Sequence, residues 1–275
     1  MEPSARPDDG RLIDRYGRVA TDLRVSLTDR CNLRCSYCMP PEGLPWLPAP
    51  EILTDDEVIR LIGVAVRLLG VAEVRFTGGE PLLRPGLTRI IAAAAALRPR
   101  PVLLRGVNDD EAPALLRFAL EHGYELRFIE QMPLDAQQSW DRAQMVTAAE
   151  ILDALRAEFT LLPDPAERGG APAETWLVDG SDGPHGGLAR VGVIGTVTRP
   201  FCGDCDRTRL TADGQVRDCL FARHESDLRG ALRSGADDEE LGRRWRTAMW
   251  GKRAGHGIDD PSFLQPARPM SAIGG

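Results

Sequence analysis

The stretch Cys31-Asn32-Leu33-Arg34-Cys35-Ser36-Tyr37-Cys38 sets three thiols at spacings of four and three. It follows an alternating run, Leu23-Arg24-Val25-Ser26-Leu27, whose pattern and strand-forming residues predict a first β-strand. Three thiolates do not complete the four-ligand shell of a structural zinc site. On a four-iron cluster they leave one iron open to a small chelating molecule.

Outward from this loop the chain reads as strand, loop, helix, strand, loop, helix. Thr54-Asp55-Asp56-Glu57 is a capping box, and Val58, Leu61, Ile62, Ala65, Leu68 and Leu69 then recur at helical spacing up to Gly70. Val74-Arg75-Phe76 is a short second strand ending in Thr77-Gly78-Gly79-Glu80-Pro81, and Leu87 to Leu97 reads as an Ala-rich helix. This order is that of parallel βα units, whose functional loops lie beyond the C-terminal ends of the strands. Both the cysteine loop and the Gly-Gly-Glu-Pro turn fall there.

The rhythm breaks at Arg98-Pro99-Arg100-Pro101. Val102-Leu103-Leu104 is a scrap of strand, Gly106 to Glu111 opens a helix to about His122, and Tyr124 to Glu130 alternates as a strand closing in Gln131-Met132-Pro133. A second capping box, Thr147 to Glu150, begins a helix with Ile151, Leu152 and Leu155 on its inner face. Pro163 to Gly187 is rich in turn residues, with one short strand at Trp176-Leu177-Val178, and reads as a boundary. Arg190 to Val197 predicts a strand, and residues 227–232 and 239–250 predict surface helices. The division expected is a flexible arm over 1–17, a partial barrel over 18–162 and a C-terminal region over 163–275.

With a formal charge of −7 in 275 residues, the chain has no general affinity for nucleic acid or an anionic membrane. No run approaches the 18 apolar residues of a membrane span, and Met1 to Gly17 lacks the pattern of a secretion signal, so a cytoplasmic protein is expected. Lys252 is the only lysine; this reads as a genome bias toward Arg and leaves little scope for Schiff-base chemistry. None of the four histidines (122, 185, 224, 256) is marked as a base.

The six cysteines form two triplets, Cys31/Cys35/Cys38 and Cys202/Cys205/Cys219. A disulfide framework would spread its cysteines along a short secreted chain, and zinc sites favour paired C-x₂-C units with a fourth ligand. Clustered thiols in a reducing compartment point to metal or cluster ligation.

The segments Arg24–Pro40 and Phe76–Arg84 resemble the radical S-adenosylmethionine enzymes. Phe201-Cys202-Gly203-Asp204-Cys205-Asp206-Arg207-Thr208-Arg209-Leu210-Thr211-Ala212-Asp213-Gly214, then Cys219-Leu220, is similar to the GTP 3′,8-cyclases of molybdenum cofactor biosynthesis, as is the terminal Gly274-Gly275. The resemblance runs from about residue 10 to the end.

It implies that Cys31, Cys35 and Cys38 bind a first [4Fe-4S] cluster, whose open iron takes S-adenosyl-L-methionine and yields a 5′-deoxyadenosyl radical. Tyr37, Gly79 and Met132 match cofactor-contacting positions. Cys202, Cys205 and Cys219 would bind a second [4Fe-4S] cluster that holds the guanine end of GTP. Arg24, Arg75, Arg207, Thr208 and Arg209 match positions around GTP, and the forked guanidinium suits phosphate. The implied reaction converts GTP to (8S)-3′,8-cyclo-7,8-dihydroguanosine 5′-triphosphate, a lyase step. Implied partners are an electron donor such as flavodoxin or ferredoxin, a downstream cyclic pyranopterin monophosphate synthase, and a second copy of the chain in a homodimer.

The sequence departs from the family between Leu97 and Val102. About two βα units, ~70 residues at roughly 30 each, are absent there, with their Thr-Thr-Asn-Gly and Ser-Leu-Asp strand ends. A family lysine would align with Arg98. The fold class expected is therefore α/β, a truncated TIM-like (βα) barrel plus a C-terminal α+β region, with activity impaired. Two other readings stay open: a dual-cluster radical enzyme acting on another substrate such as a peptide, and a non-catalytic metal-binding remnant.

Overall fold

The computed structural model describes residues 10–35, 38–87, 90, 102–135, 138–184 and 186–273. In chain order its strands are β1 (Asp22–Ser26), β2 (Glu73–Thr77), β3 (Leu126–Ile129), β4 (Leu161–Pro163), β5 (Glu174–Asp182), β6 (Leu188–Ile194), β7 (Arg207–Leu210), β8 (Gln215–Arg217) and β9 (Ser226–Asp227). Its described α-helices are α1 (Asp55–Leu69), α2 (Ala112–Glu121), α3 (Ala148–Arg156), α4 (Arg229–Arg233), α5 (Asp238–Trp250) and α6 (Met270–Ile273). The expected helix from Leu87 to Leu97, and Arg98, lie almost wholly outside the described residues.

Contacts divide the chain into two compact units that differ from the expected split at 162/163. One comprises Met1–Ala96, Leu134–Ser139 and Cys205–Gly275; the other comprises Leu97–Pro133 and Trp140–Asp204. The reason lies in a strand too short to carry a sequence pattern of its own. Arg207–Leu210 pairs in parallel with β1, on the side opposite β2, and so carries the C-terminal segment into the N-terminal sheet.

The first unit holds a mixed five-stranded sheet in the order β2-β1-β7-β8-β9, parallel through its first three strands and antiparallel beyond. Alternation sends Leu23 and Val25 of β1, Leu210 of β7 and Val216 of β8 to one face. There they join a core with Leu61, Ala65 and Leu69 of α1 and Leu241, Trp245 and Met249 of α5. Both bonds of the Thr54–Glu57 capping box form, and Gly70 closes α1 in the left-handed conformation (φ 74°). The arm expected to be loose over 1–17 is packed in its described part. Leu12 is fully buried, Ile13 pairs with Val19, and Asp14 Oδ2 accepts from Arg18 Nε at 2.6 Å.

The second unit holds a four-stranded sheet, β3-β6-β5-β4, with β3 and β6 parallel and the remaining pairs antiparallel. Phe128, Val191 and Val193 pack with Leu116 of α2 and Ile151, Leu152 and Leu155 of α3. Val102 and Leu104 make isolated bridges to Ile129 and Met145 rather than a strand. Buried Glu130 accepts from the amides of Ala148, Val197 and Thr198, joining the start of α3 to the turn after β6. Among the described residues, no helix is long and apolar enough to cross a membrane.

In the first core, Trp245 donates its indole N–H to Thr208 Oγ1 at 2.9 Å, with both side chains fully buried. Trp245→Phe keeps most of the volume and leaves the hydroxyl without that donor. The urea midpoint of the variant should fall by an amount equivalent to about 1–3 kcal/mol with an unchanged m-value; an unchanged midpoint would show that the bond contributes nothing.

Candidate active site

The first cysteine loop leaves the C-terminal end of β1 and is held by the Gly-Gly turn that leaves neighbouring β2. Leu27 N donates to Thr77 O at 2.9 Å, Gly79 N to Thr28 O at 2.7 Å and Glu80 N to Arg30 O at 2.8 Å. Both glycines are required by space. A Cβ on Gly78 would stand 2.4 Å from Thr28 O, and Gly78 has φ +131°; a Cβ on Gly79 would stand 2.2 Å from Arg30 O. The two motifs recognised separately in the sequence are therefore one packed unit.

Within the loop, Arg34 donates to Cys31 O at 3.1 Å and to Pro41 O at 3.2 Å, tying its two ends together. Leu33 N donates to Cys31 Sγ at 3.4 Å, and Cys38 N donates to Cys35 O at 2.9 Å. The three thiols are partly exposed. Ser26 Oγ and Asp29 Oδ1 are buried polar atoms without a hydrogen-bond partner, at the end of β1 and in the approach to Cys31. An incomplete thiol set, an amide N–H on sulfur and unsatisfied polar atoms beside it fit a cluster with a polar ligand on its open iron. Tyr37 lies outside the described residues.

The face of this sheet opposite the core is charged. Strand register sets Arg75 of β2, Arg24 of β1, Arg209 of β7 and Arg217 of β8 directly opposite one another in a single row. Arg207 lies one step along β7, opposite Asp22. Asp22 accepts from Arg24 at 3.3 Å and stands 3.6 Å from Arg75, which also pairs with Glu73 at 2.8 Å. Arg217 pairs with Glu225 at 2.5 Å and donates to the carbonyls of Leu220 and Ala222, bracing the turn that carries Cys219.

Like charges set opposite one another on adjacent strands repel. Burial pushes Arg24 down, with Arg75 and Arg207 adding to the effect and Asp22 opposing it. Burial, then Arg24, then Arg207 push Arg209 down to about 9. Arg75 goes up: burial works against its charge, but Glu73 and Asp22 outweigh it. Positive charge thus accumulates toward Arg24 and Arg209, where an anion would relieve it.

Thr208 does not belong to this face. Strand alternation turns it into the core, where its hydroxyl meets Trp245, while Arg207 and Arg209 turn the other way. Of Thr208 only the backbone, between Arg207 and Arg209, remains on the charged side.

The second triplet begins in a single 3₁₀ turn, Cys202–Asp204, within the second unit; Cys205 and Cys219 belong to the first. Burial raises the Cys219 thiol, opposed by a hydrogen bond from the Phe221 amide. Burial also works against the Cys205 thiolate, but Arg207 and Lys252 together bring that thiol down. Lys252, the single lysine of an Arg-rich chain, donates to Cys205 Sγ at 3.2 Å, Cys205 O at 3.0 Å and Arg207 O at 2.9 Å. Its uniqueness was the only signal available. Among the described residues, no three His, Cys, Asp or Glu side chains stand close enough to hold a single metal ion. Ligands of a four-iron cluster each take a different iron and stand farther apart.

Met132 follows β3 in the second unit and is buried. The segment leading to Gly274-Gly275 is anchored in the first unit: Arg268 bonds Asp213 at 3.0 Å and Glu225 at 3.1 Å, Met270 N bonds Leu134 O at 3.0 Å, and Ile273 is buried. The two glycines themselves lie outside the described residues. Of the histidines, His122 stacks on Phe118, His256 accepts from Ile258 N with its ring 5.3 Å from that of Phe221, and His185 is outside the described residues.

Two family models match the chain. Residues 25–118 match the Radical SAM superfamily, and residues 124–258 match Molybdenum Cofactor Synthesis C. The superfamily match carries an iron–sulfur cluster and S-adenosylmethionine with it. Over 334 aligned residues the chain is 56% identical to the GTP 3′,8-cyclase of Streptomyces coelicolor, covering 96% of each. It is 49% identical over 338 residues to the GTP 3′,8-cyclase of Mycobacterium sp. strain KMS, covering 98% of this chain and 95% of the relative. It is 48% identical over 343 residues to GTP 3′,8-cyclase 2 of Mycobacterium tuberculosis H37Rv, covering 100% of this chain and 95% of the relative. The chain belongs to the GTP 3′,8-cyclase family of radical S-adenosylmethionine proteins.

Gly79→Ala should push the Arg30 backbone away and spoil the approach to Cys31. Anaerobically reconstituted variant should hold about half the iron of the unaltered chain, the second thiol set keeping its share. Full iron content in the variant would show that the turn does not hold the loop.

Proposed function

We propose that this chain is a lyase that converts GTP to (8S)-3′,8-cyclo-7,8-dihydroguanosine 5′-triphosphate in molybdenum cofactor biosynthesis. The observation that carries the reading is the row Arg75–Arg24–Arg209, half-buried at Arg75 and buried at the other two, with buried Arg207 beside it and Cys205 two residues before β7. Forked donors crowded onto one face and charged at neutral pH call for a polyanion. In this reading Arg24, Arg75, Arg207 and Arg209 grip the triphosphate, and Cys202, Cys205 and Cys219 hold a second [4Fe-4S] cluster at the guanine end. Cys31, Cys35 and Cys38 hold the first cluster, with Tyr37, Gly79 and Met132 as contacts to S-adenosylmethionine. When bound, that pair supplies a 5′-deoxyadenosyl radical able to take hydrogen from the ribose.

The chain's own residues do the positioning. The Gly-Gly turn fixes the approach to Cys31, Asp22 orients Arg24 and Arg75, and Arg217 braces the Cys219 turn. Arg268 and the buried Ile273 bring the chain end to a fixed point before Gly274-Gly275. An electron donor of the flavodoxin or ferredoxin class, a downstream cyclic pyranopterin monophosphate synthase, a homodimer and a cytoplasmic setting complete the proposal.

The proposal includes a barrel shortened by about two βα units after Leu97 through loss of codons from the gene, with reduced activity. The length of the alignments supports it: 334 aligned positions against 275 residues leaves at least 59 positions without a residue in this chain. The nucleotide sequence around codons 97 to 102 tests this part.

Anaerobically reconstituted protein is expected to hold about eight irons, in two clusters of four, and to form 5′-deoxyadenosine under dithionite only when GTP is present. Zinc in place of iron, or no cleavage of S-adenosylmethionine even after the absent segment is restored, would sink the assignment.

Thermal melts test the arginine row separately. GTP at a hundredfold excess over its Kd should stabilise the unaltered chain by about 2.7 kcal/mol. The same GTP concentration should give Arg209→Met little or no stabilisation. Equal protection of both proteins would remove Arg209 from the nucleotide site.

A further inference from the structure

Lys252 is the one lysine in 275 residues, and it is buried, 2% exposed. An ammonium has three N–H donors and no acceptor. All three find partners within 3.2 Å: Cys205 Sγ, Cys205 O and Arg207 O. Of these acceptors only the sulfur can carry a negative charge. A neutral thiol is a weak acceptor, so a buried ammonium aimed at Sγ is best matched by a ligand thiolate.

The lysine is also held from behind. Its own amide donates to Met249 O at 3.1 Å at the end of α5. The turn beyond it is clamped by the N-terminal segment: Arg18 donates to Arg253 O at 2.5 Å and Ala254 O at 2.8 Å, and Arg15 to Trp250 O at 3.4 Å. An ammonium with three acceptors and a fixed backbone is preorganised toward one sulfur.

Given the second cluster proposed above, we infer that Lys252 is a positioning residue for that cluster. Its charged N–H···S bond fixes the Cys205 ligand, offsets part of the thiolate charge and raises the cluster's reduction potential. Potentials of iron–sulfur clusters rise with hydrogen bonds to sulfur and with neighbouring positive charge. Arg offers a similar charge on a longer planar group, whereas Met fills the space with neither charge nor donor.

Because the chain has a single lysine, labelling with [¹⁵Nζ]lysine marks one atom. The full chain carrying Cys31→Ala, Cys35→Ala and Cys38→Ala isolates the second cluster. Electron–nuclear double resonance on the reduced, labelled protein should show a ¹⁵N coupling on the cluster signal. A cluster signal with no ¹⁵N coupling would overturn the inference. Failure of this chain to take up any four-iron cluster would instead overturn the two-cluster reading. The same protein with Lys252→Met should be about tenfold less reduced at a fixed potential, a shift of about 59 mV for one electron, and Lys252→Arg should recover most of it. An unchanged potential in Lys252→Met would also refute the role. The labelling measurement needs no change at Lys252, so it decides the matter even where the Met variant does not fold.

Discussion

The pairing of Asp22–Ser26 with Glu73–Thr77 on one side and Arg207–Leu210 on the other ties together three segments far apart in sequence. A parallel pair cannot be closed by a tight turn, so each partner arrives after a long excursion through helix and loop. β1 therefore sets the register of everything around it. Its apolar residues meet α1 and α5, its charged residues meet the charged residues of both neighbours, and its C-terminal end delivers the first cysteine loop. A slip of one residue would turn the arginines into the core and the core into the site.

The register has an electrostatic cost. Four arginines opposite one another, three of them buried and Arg75 half-buried, repel, and Asp22, Glu73 and Glu225 offset only part of that charge. A protein whose stability is a small difference between large terms tolerates such a row where an anionic ligand completes it. The same reasoning applies around Cys205, where Arg207 and Lys252 assemble positive charge that an iron-bound thiolate would meet. In the proposed function, substrate recognition and cluster ligation would draw on one pool of charge, on strands whose other face is a conventional core.

Much of the local structure around the candidate site was legible because it is written in short stretches. Cysteine spacing, the Gly-Gly turn and the two capping boxes are written in adjacent residues, and the structure forms both boxes where the sequence placed them. What failed was non-local. β7 is four residues long inside a cysteine-rich motif, with no apolar alternation long enough to read, so its entry into the N-terminal sheet went unseen. Thr208 was grouped with its neighbours Arg207 and Arg209 because adjacency in sequence conceals the alternation of a strand. Residues 10–17 looked loose because a polar, Pro-rich start gives no periodic signal, yet Leu12 finds a core to fill.

The sequence by itself determined the chemistry on offer: two thiol triplets, an Arg-x-Arg after the second, a Gly-Gly turn that brings backbones close, and one lysine. Composition and spacing specify such things because the reactive groups belong to single residues. Only the tertiary structure decided which of them stand together. It aligned Arg24, Arg75 and Arg209, sent Thr208 to the core, and brought Lys252 back to Cys205 across 47 positions. The physical reason is that register and burial arise between segments, and a residue's side of a sheet is settled by the strands that pair with it.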